Sequence, residues 1–318
     1  MRIKNNVIEA LQNSQNVAIF IHTRPDADCI GSASALKICL EELGKEVDIY
    51  CDSEIQSCYQ YIKHSNIINY PSKIIEYDTC VALDCSDIYR LGKYSTMFEA
   101  AETTVKIDHH ATGTDFAKVN FVKNVSSTGE IIYYIFKALK VKVNHDAANS
   151  LYSAIASDTN CFMNMNTTPD AHKIAYELFK IGFNFDKANY FLFKRKTLGQ
   201  VEMQKIALNH IRFFLDKRVA ITYLKMEDFE KCYISNNETF ALVDTCINIQ
   251  NVEIGIMISE IKPNLYACSI RGKGRIDVSK VASAFGGGGH LQAAGCNIFG
   301  SYKTVMNKLV KNCRKVLC

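Results

Sequence analysis

No stretch of this 318-residue chain is long and apolar enough to span a bilayer, so no membrane-spanning helix is expected. The first residues, Met1-Arg-Ile-Lys-Asn-Asn, lack a long apolar core and a small-residue cleavage site, so no secretory signal is expected either. No two cysteines form a Cys-x-x-Cys pair, which argues against a cysteine-based zinc site. There is no tandem repeat and no low-complexity segment. No glycine fingerprint follows the first strand, where Arg24-Pro25-Asp26 stands instead, and this sets aside a dehydrogenase-like dinucleotide binder. Strong charge is lacking too. A net charge of +4 suits an anionic substrate but is too small to imply a long-duplex binder.

What is present is ordinary for a soluble globular protein, with 48% hydrophobic and 22% charged residues, so disorder is not expected. The length is long for one core and comfortable for two domains. The 13 cysteines are odd in number, and several (Cys39, Cys80, Cys268) lie inside apolar runs. Reduced, buried thiols in a cytoplasmic protein are the expectation, rather than a disulfide framework.

The first half alternates strands and helices. Residues 16 to 22 are a continuous apolar run, as a strand buried on both faces requires. Helical spacing follows from Ile30 to Leu43 and stops at Gly44. Strands are expected at 46–51, 79–83 and 104–108, with a short helix at 54–62. Ser127-Thr-Gly-Glu130 reads as a capping box ahead of an apolar helix to Leu139. Further helices are expected at 145–157 and, after Thr168-Pro169, to Ile181. The pattern predicts an α/β fold in which residues 1–182 form a parallel sheet with helices on both faces. Residues 183–214 read as a mostly helical linker. Residues 215–318 read as a smaller α+β domain, with strands at 219–224, 252–261 and 265–271 and helices at 278–285 and 302–316.

Active sites of parallel sheets lie beyond the carboxyl ends of the strands. His22, Asp84 and Asp108 each stand at such an end. Asp26, Asp28, His109 and Asp158 belong to the same clusters, His22-Thr-Arg-Pro-Asp26-Ala-Asp28, Asp108-His109-His110 and Ser157-Asp158. Any one of these could be a cap, a turn residue or a satisfied structural histidine. Asp108 and His110 aside, they offer two imidazoles (His22, His109) and four carboxylates (Asp26, Asp28, Asp84, Asp158). Carboxylates crowded on one rim repel unless a cation neutralises them. The supply exceeds one ion's needs, and two adjacent metals are suited to phosphate-ester hydrolysis. Mixed imidazole and carboxylate donors fit manganese or another first-row divalent ion better than calcium, with magnesium or cobalt as alternatives.

At these residues the sequence resembles the DHH phosphoesterases. His22-x-x-x-Asp26-x-Asp28, Asp84 in Ala-Leu-Asp-Cys-Ser-Asp, Asp108-His109-His110 and Asp158 in Ala-Ser-Asp-Thr match the four family motifs, in order. Gly286-Gly-Gly-Gly-His290-Leu-Gln-Ala-Ala-Gly295 resembles the hallmark of the DHH-associated domain, so the likeness covers nearly the whole chain. The length and Ser126 to Glu130 are similar to the nanoRNase branch, the bifunctional oligoribonucleases and adenosine-bisphosphate phosphatases. The resemblance implies that His22, Asp26 and Asp84 hold one metal. It implies that Asp28, Asp84, His109 and Asp158 hold the other, with Asp84 bridging, His110 facing the scissile phosphate and Asp108 orienting the site. Cys29 stands where many relatives carry a small residue.

Four consecutive glycines lose much conformational entropy on folding, so the native backbone must need them. Gly287, Gly288 and Gly289 can bring N–H groups close to a phosphate, His290 can donate to an anion, and Arg271 offers a bidentate guanidinium. Arg90 is either a substrate contact or a surface ion pair. Lys194, Arg195 and Lys196 either line a binding cleft or sit on a solvated face. The expected partners are short RNA, a dinucleotide or a nucleoside bisphosphate, and no membrane. Oligomeric state is left open, with a homodimer as one option. The rival readings are a phosphodiesterase for cyclic dinucleotides of the c-di-AMP type or for linear dinucleotides, a RecJ-like single-strand DNA exonuclease, and a non-catalytic nucleotide sensor. A sensor would have lost ligands, and here all remain.

Overall fold

The computed structural model describes residues 1–70, 76–110, 112–235, 242–289 and 291–317. The chain forms two compact units, Met1–Arg195 and Lys196–Cys318.

In the first unit, α1 (Asn5–Asn13) precedes β1 (Asn16–Ile21), α2 (Ala27–Glu41), β2 (Glu46–Cys51), β3 (Thr79–Leu83), α3 (Ser95–Ala100), β4 (Thr103–Asp108) and β5 (Val119–Val122). Then come α4 (Thr128–Leu139), α5 (His145–Asp158), α6 (Pro169–Ile181) and α7 (Phe185–Asn189). The sheet order is β2-β1-β3-β4-β5, and every pairing is parallel. The chain leaves β1 for one neighbour and returns on the other side to β3. The carboxyl ends of β1 and β3 therefore flank the point where strand order reverses, the usual ligand position in open parallel sheets.

One sheet face packs on α2, α4 and α5. Phe20, Tyr50 and Ala82 on the other face pack against Leu91, Phe98 and Ala101, from the short turns and helix between β3 and β4. Each fully buried large apolar side chain of this kind contributes about 1.5–3 kcal/mol. Helix α2 is buried along Ala27–Leu40 and so has no polar face. Gly31 makes this possible, because a Cβ there would lie 2.4 Å from the Ser150 carbonyl oxygen of α5.

The second unit contains α8 (Leu198–Asn209), β6 (Arg212–Phe214), β7 (Val219–Leu224), α9 (Met226–Cys232), α10 (Asp244–Ile247), β8 (Ile254–Lys262) and β9 (Leu265–Gly272). It ends with α11 (Ser279–Ser283), β10 (Gly288–Gly289), β11 (Ala293–Phe299) and α12 (Tyr302–Leu317). Its sheet runs β10-β11-β9-β8-β7-β6 and is antiparallel except for the β7–β8 pair. The stretch 183–214 is shared: α7 and a π-helical turn at Tyr190–Lys194 lie in the first unit, α8 and β6 in the second.

Several local expectations change. Residues 54–62 form only a 3-10 turn at Ser57–Tyr59. Tyr61 instead stacks on Phe191, 5.1 Å between ring centres, and donates to Ser153 Oγ, so tertiary packing overrides the weak helical pattern. The capping box is half formed. Ser127 Oγ accepts from Glu130 N, but the Glu130 carboxylate accepts from Ser126 N, Ser126 Oγ and Thr168 Oγ1. Strands β5, β6, β10 and β11 and helices α1, α3, α9 and α10 were not expected from the sequence pattern. Ten of the twelve described cysteines are buried, and all twelve are free thiols. No helix among the described residues is long and apolar enough to cross a membrane.

Candidate metal centre

The first unit brings together all six residues expected to hold metal. His22 follows β1 and is 3% exposed. Its Nδ1 lies 2.9 Å from the Thr23 carbonyl oxygen. A carbonyl can only accept, so Nδ1 carries the hydrogen and the neutral ring keeps its lone pair on Nε2. That Nε2 faces Asp84 Oδ2 at 3.4 Å and Asp26 Oδ1 at 3.9 Å. His109 repeats the arrangement. Its Nδ1 points to the Val125 carbonyl oxygen at 3.3 Å. Its Nε2 faces Asp158 Oδ2 at 3.3 Å, Asp84 Oδ1 at 3.5 Å and Asp28 Oδ2 at 3.8 Å. Asp84 thus turns one oxygen to each imidazole. It sits just beyond β3 with φ +58°, a left-handed conformation that Asp tolerates better than most residues.

The carboxylates are held by the backbone. Asp26 caps α2, its Oδ1 accepting from Asp28 N at 3.0 Å and Cys29 N at 3.1 Å. Asp28 is fully buried and accepts from Thr128 N at 2.8 Å, Gly129 N at 2.9 Å and Ser32 Oγ at 3.1 Å. The N–H groups at the start of α4 are therefore aimed at a carboxylate of α2, where the helix dipole favours negative charge. Thr128 Oγ1 donates to Asp84 Oδ1 at 2.9 Å. Gly129 is needed for closeness, since a Cβ would lie 2.5 Å from Ala154 Cβ. Asn166 Nδ2 ties the Ser126 carbonyl to that of Asp158. Thr128, Gly129, Ser32 and Asn166 had no expected role. The only signal for the first two was the half-formed cap, which reveals a helix start but not what it points at.

Crowding shows in the proton affinities. Burial, with repulsion from Asp84 and Asp158, pushes Asp28 well above the carboxylate range. Burial, then Asp26 and Asp84, does the same to Asp158. Asp84 is held low, because its contacts with His22 and His109 outweigh the opposing burial. Burial pulls both histidines down, but the carboxylates overcome it and raise them. As neutral rings, both histidines would aim Nε2 lone pairs at carboxylate oxygens, acceptor against acceptor. A positive charge between them resolves the conflict, and the donor set fits divalent cations. Among the described residues, three groups have ligand atoms within 4.8 Å of one another: His22, Asp26, Cys29 and Asp84; Asp84, His109 and His110; Asp28, His109 and Asp158. Cys29 thus lies nearer the donors than expected, although burial and then Asp26 and Asp84 push its thiol well up.

Asp108 is fully buried; its Oδ1 accepts from His110 N at 3.2 Å and faces His110 Nδ1 at 2.7 Å. Arg90 is exposed, its carbonyl accepts from Thr23 N at 2.8 Å, and its charge opposes protonation of His22.

The second unit holds the other candidates. Gly288 and Gly289 lie in β10, in register with Gly295 and Ala294 of β11. Packing against β11 accounts for part of the glycine run. A Cβ on Gly287 would lie 2.2 Å from the Gly295 oxygen, and one on Gly289, with φ +146°, 2.4 Å from the Ala293 oxygen. Arg271 stands opposite Ala293 on the other side of β11. Its Nη1 donates to the Ile270 carbonyl at 3.3 Å. Burial lowers its proton affinity and raises that of nearby Asp244, each opposed only by their mutual attraction. His290 lies outside the described residues. The basic cluster is engaged at the surface: Lys194 faces Asp186 at 4.0 Å, Arg195 lies 5.6 Å from the Phe191 ring centre, and Lys196 donates to Gln204 at 2.7 Å.

Comparison with known proteins agrees with this arrangement. Residues 16–155 match the DHH family N-terminal domain, and residues 216–316 match the DHHA1 domain. The bifunctional oligoribonuclease and PAP phosphatase NrnA of Bacillus subtilis is 24% identical over 301 residues, spanning 93% of this chain and 94% of that protein. The crystal structure of an exopolyphosphatase-related protein from Bacteroides fragilis superposes with a TM-score of 0.90 at 21% identity, covering 98% of this chain and 95% of that one. RecJ from Thermus thermophilus, in complex with Mn2+, gives a TM-score of 0.59 at 11% identity, covering 98% of this chain and 54% of RecJ. The domain matches and the NrnA relative support a phosphoesterase, a hydrolase, while the solved structures show the shared fold. With the motif clusters meeting beyond the carboxyl ends of the strands and both domains present in sequence order, this chain carries the DHH and DHHA1 domains of the DHH family.

Proposed function

We propose that this protein hydrolyses short oligoribonucleotides to nucleoside monophosphates, and removes the 3′-phosphate of adenosine 3′,5′-bisphosphate, with two divalent cations. The observation that carries the reading is Asp84, turned to His22 Nε2 at 3.4 Å and to His109 Nε2 at 3.5 Å while main-chain carbonyls fix both rings. His22, Asp26 and Asp84 would hold one cation, and Asp28, Asp84, His109 and Asp158 the other. Manganese is the expected ion, and RecJ, of similar fold, has been crystallised with Mn2+. When bound, the cations supply Lewis acidity toward the phosphoryl oxygens and activate water.

The remaining chemistry belongs to side chains. Hydrolysis adds water across a P–O bond, and the departing oxygen must gain a proton. His110 is assigned that task. Asp108 accepts its Nδ1–H, so the ring meets the phosphate through Nε2, which donates when protonated. Arg90 is assigned to a phosphoryl oxygen. In the second unit Arg271, Gly287, Gly288, Gly289 and His290 are the groups assigned to a terminal phosphate. NrnA proteins from Bacillus subtilis, Mycoplasma pneumoniae and Thermus thermophilus carry both activities in their names, which is why the two substrates are proposed together.

The test is hydrolysis, with manganese, of an RNA ladder from dimer upward, alongside adenosine 3′,5′-bisphosphate and a cyclic dinucleotide. The expected result is fastest turnover of the shortest RNAs together with bisphosphate dephosphorylation. Exclusive turnover of the cyclic dinucleotide, or rates rising with length, would overturn the proposal.

A further inference from the structure

We propose that Lys106 is a positioning residue for this reaction, acting through Asp108 on His110. The inference rests on the role given to His110 above. Lys106 lies within β4, two residues before Asp108, and its side chain is 1% exposed. Its Nζ donates to the Ser86 carbonyl at 2.9 Å and to the Thr114 carbonyl at 2.9 Å, and stands 3.4 Å from Asp108 Oδ2. Three oxygens surround one nitrogen. A neutral amine would turn its lone pair on one of them, whereas an ammonium has a hydrogen for each.

Asp108 divides its oxygens. Oδ1 accepts from the His110 main chain and faces the ring Nδ1. Oδ2 is buried with no hydrogen-bond partner among the described residues, and what it faces is the Lys106 ammonium. The three side chains form a line, Lys106 to Asp108 to His110, in which only the last is placed to meet a substrate. Taking an ammonium out of water is costly, and an apolar side chain would avoid that while leaving the carboxylate without compensation. The charge therefore has a specific use: it stands against Asp108 Oδ2 and holds the carboxylate in place, so that Oδ1 fixes the His110 ring.

The two carbonyls add a mechanical part. Ser86 is two residues beyond Asp84, and Thr114 is four beyond His110. Thr114 N also donates to the Ser86 carbonyl at 3.0 Å, and a Cβ on Gly113 would lie 2.4 Å from that same oxygen. One ammonium thus ties the loop leaving Asp84 to the loop leaving the histidine pair. The Phe116 ring, its centre 5.1 Å from Nζ, covers it.

The experiment compares wild type with Lys106→Met in the magnesium-loaded protein, using 15N-histidine NMR in alkaline buffer, with His110→Ala to identify the His110 signals. The expected result is a wild-type ring fixed as the Nδ1–H form and a Lys106→Met ring that exchanges tautomers. Turnover should fall about tenfold while KM stays within roughly twofold. An unchanged His110 spectrum in the variant overturns the proposal. So does a loss of activity expressed wholly in KM. If circular dichroism shows that Lys106→Met does not fold, Lys106→Gln, which keeps amide donors for the carbonyls but drops the charge, carries the same comparison. If the wild type turns over none of the proposed substrates, the functional reading fails while the NMR comparison still decides this one.

Discussion

The two units treat charge in opposite ways. In the first, Asp28 and Asp108 are wholly buried and His22 and Asp84 nearly so; the oxygens of Asp28 and Asp84 are met by backbone N–H groups and hydroxyls, and Asp108 Oδ2 faces the buried Lys106 ammonium. In the second, Gly288 and Gly289 are exposed and Arg271 is half-buried, with one long hydrogen bond to its neighbour's carbonyl. Groups that must hold cations at fixed separation gain from a rigid, dry setting in which every lone pair is aimed in advance. Groups that recognise a phosphate must remain reachable. The proposed function places chemistry in the first unit and recognition in the second, and that division would account for these burials.

The largest expected effect tests the buried half. Asp84→Ala removes the carboxylate shared by both imidazoles and should reduce turnover by about a thousandfold or more. Activity near wild type with manganese would sink the metal assignment. Metal addition itself should separate the units. At about 100 times Kd, manganese stabilises by roughly 2.7 kcal/mol, so amide exchange around His22, Asp84 and His109 should slow by about a hundredfold where global opening governs it. Exchange in β8 and β9 should change little. Equal slowing in both sheets would contradict a cation site confined to the first unit. Arg271→Ala should raise KM about tenfold with kcat within roughly twofold, the pattern of a lost binding contact. Steady-state kinetics on a dinucleotide checks this, and an unchanged KM removes Arg271 from recognition. The smallest effect is expected for Lys196→Ala, whose ammonium donates to the Gln204 side chain in a solvent-exposed hydrogen bond. Stability should shift by no more than about 0.5 kcal/mol and KM by less than roughly twofold. A clear rise in KM would return the basic cluster to the binding surface.

Much of the first unit was legible because buried parallel strands are continuous apolar runs: β2 and β3 have the bounds their sequences suggest, and β1 ends at Ile21, one residue before the expected His22. β5 was hidden, because a four-residue edge strand with one buried position, Phe121, has no such run. In the second unit β11 alternates buried and exposed residues through Ala293 to Phe299, but it follows the glycines so closely that the whole stretch read as a loop. The six metal candidates were legible as residue types at strand and helix ends. Their supports were not, because Thr128 and Gly129 reach Asp28 across about a hundred residues of chain.

The sequence by itself determined the alternation of strands and helices, the acidic and imidazole clusters at the strand ends and the family. Hydrophobic periodicity and local caps are properties of neighbouring residues and can be read in one dimension. Tertiary structure alone decided which helix start holds Asp28, that two of the four glycines form a strand against β11, and that a lysine of β4 lies buried beside Asp108. Each of these is a pairing of polar groups between distant segments. The requirement that buried donors and acceptors find partners selects such pairings only once the chain has closed around them.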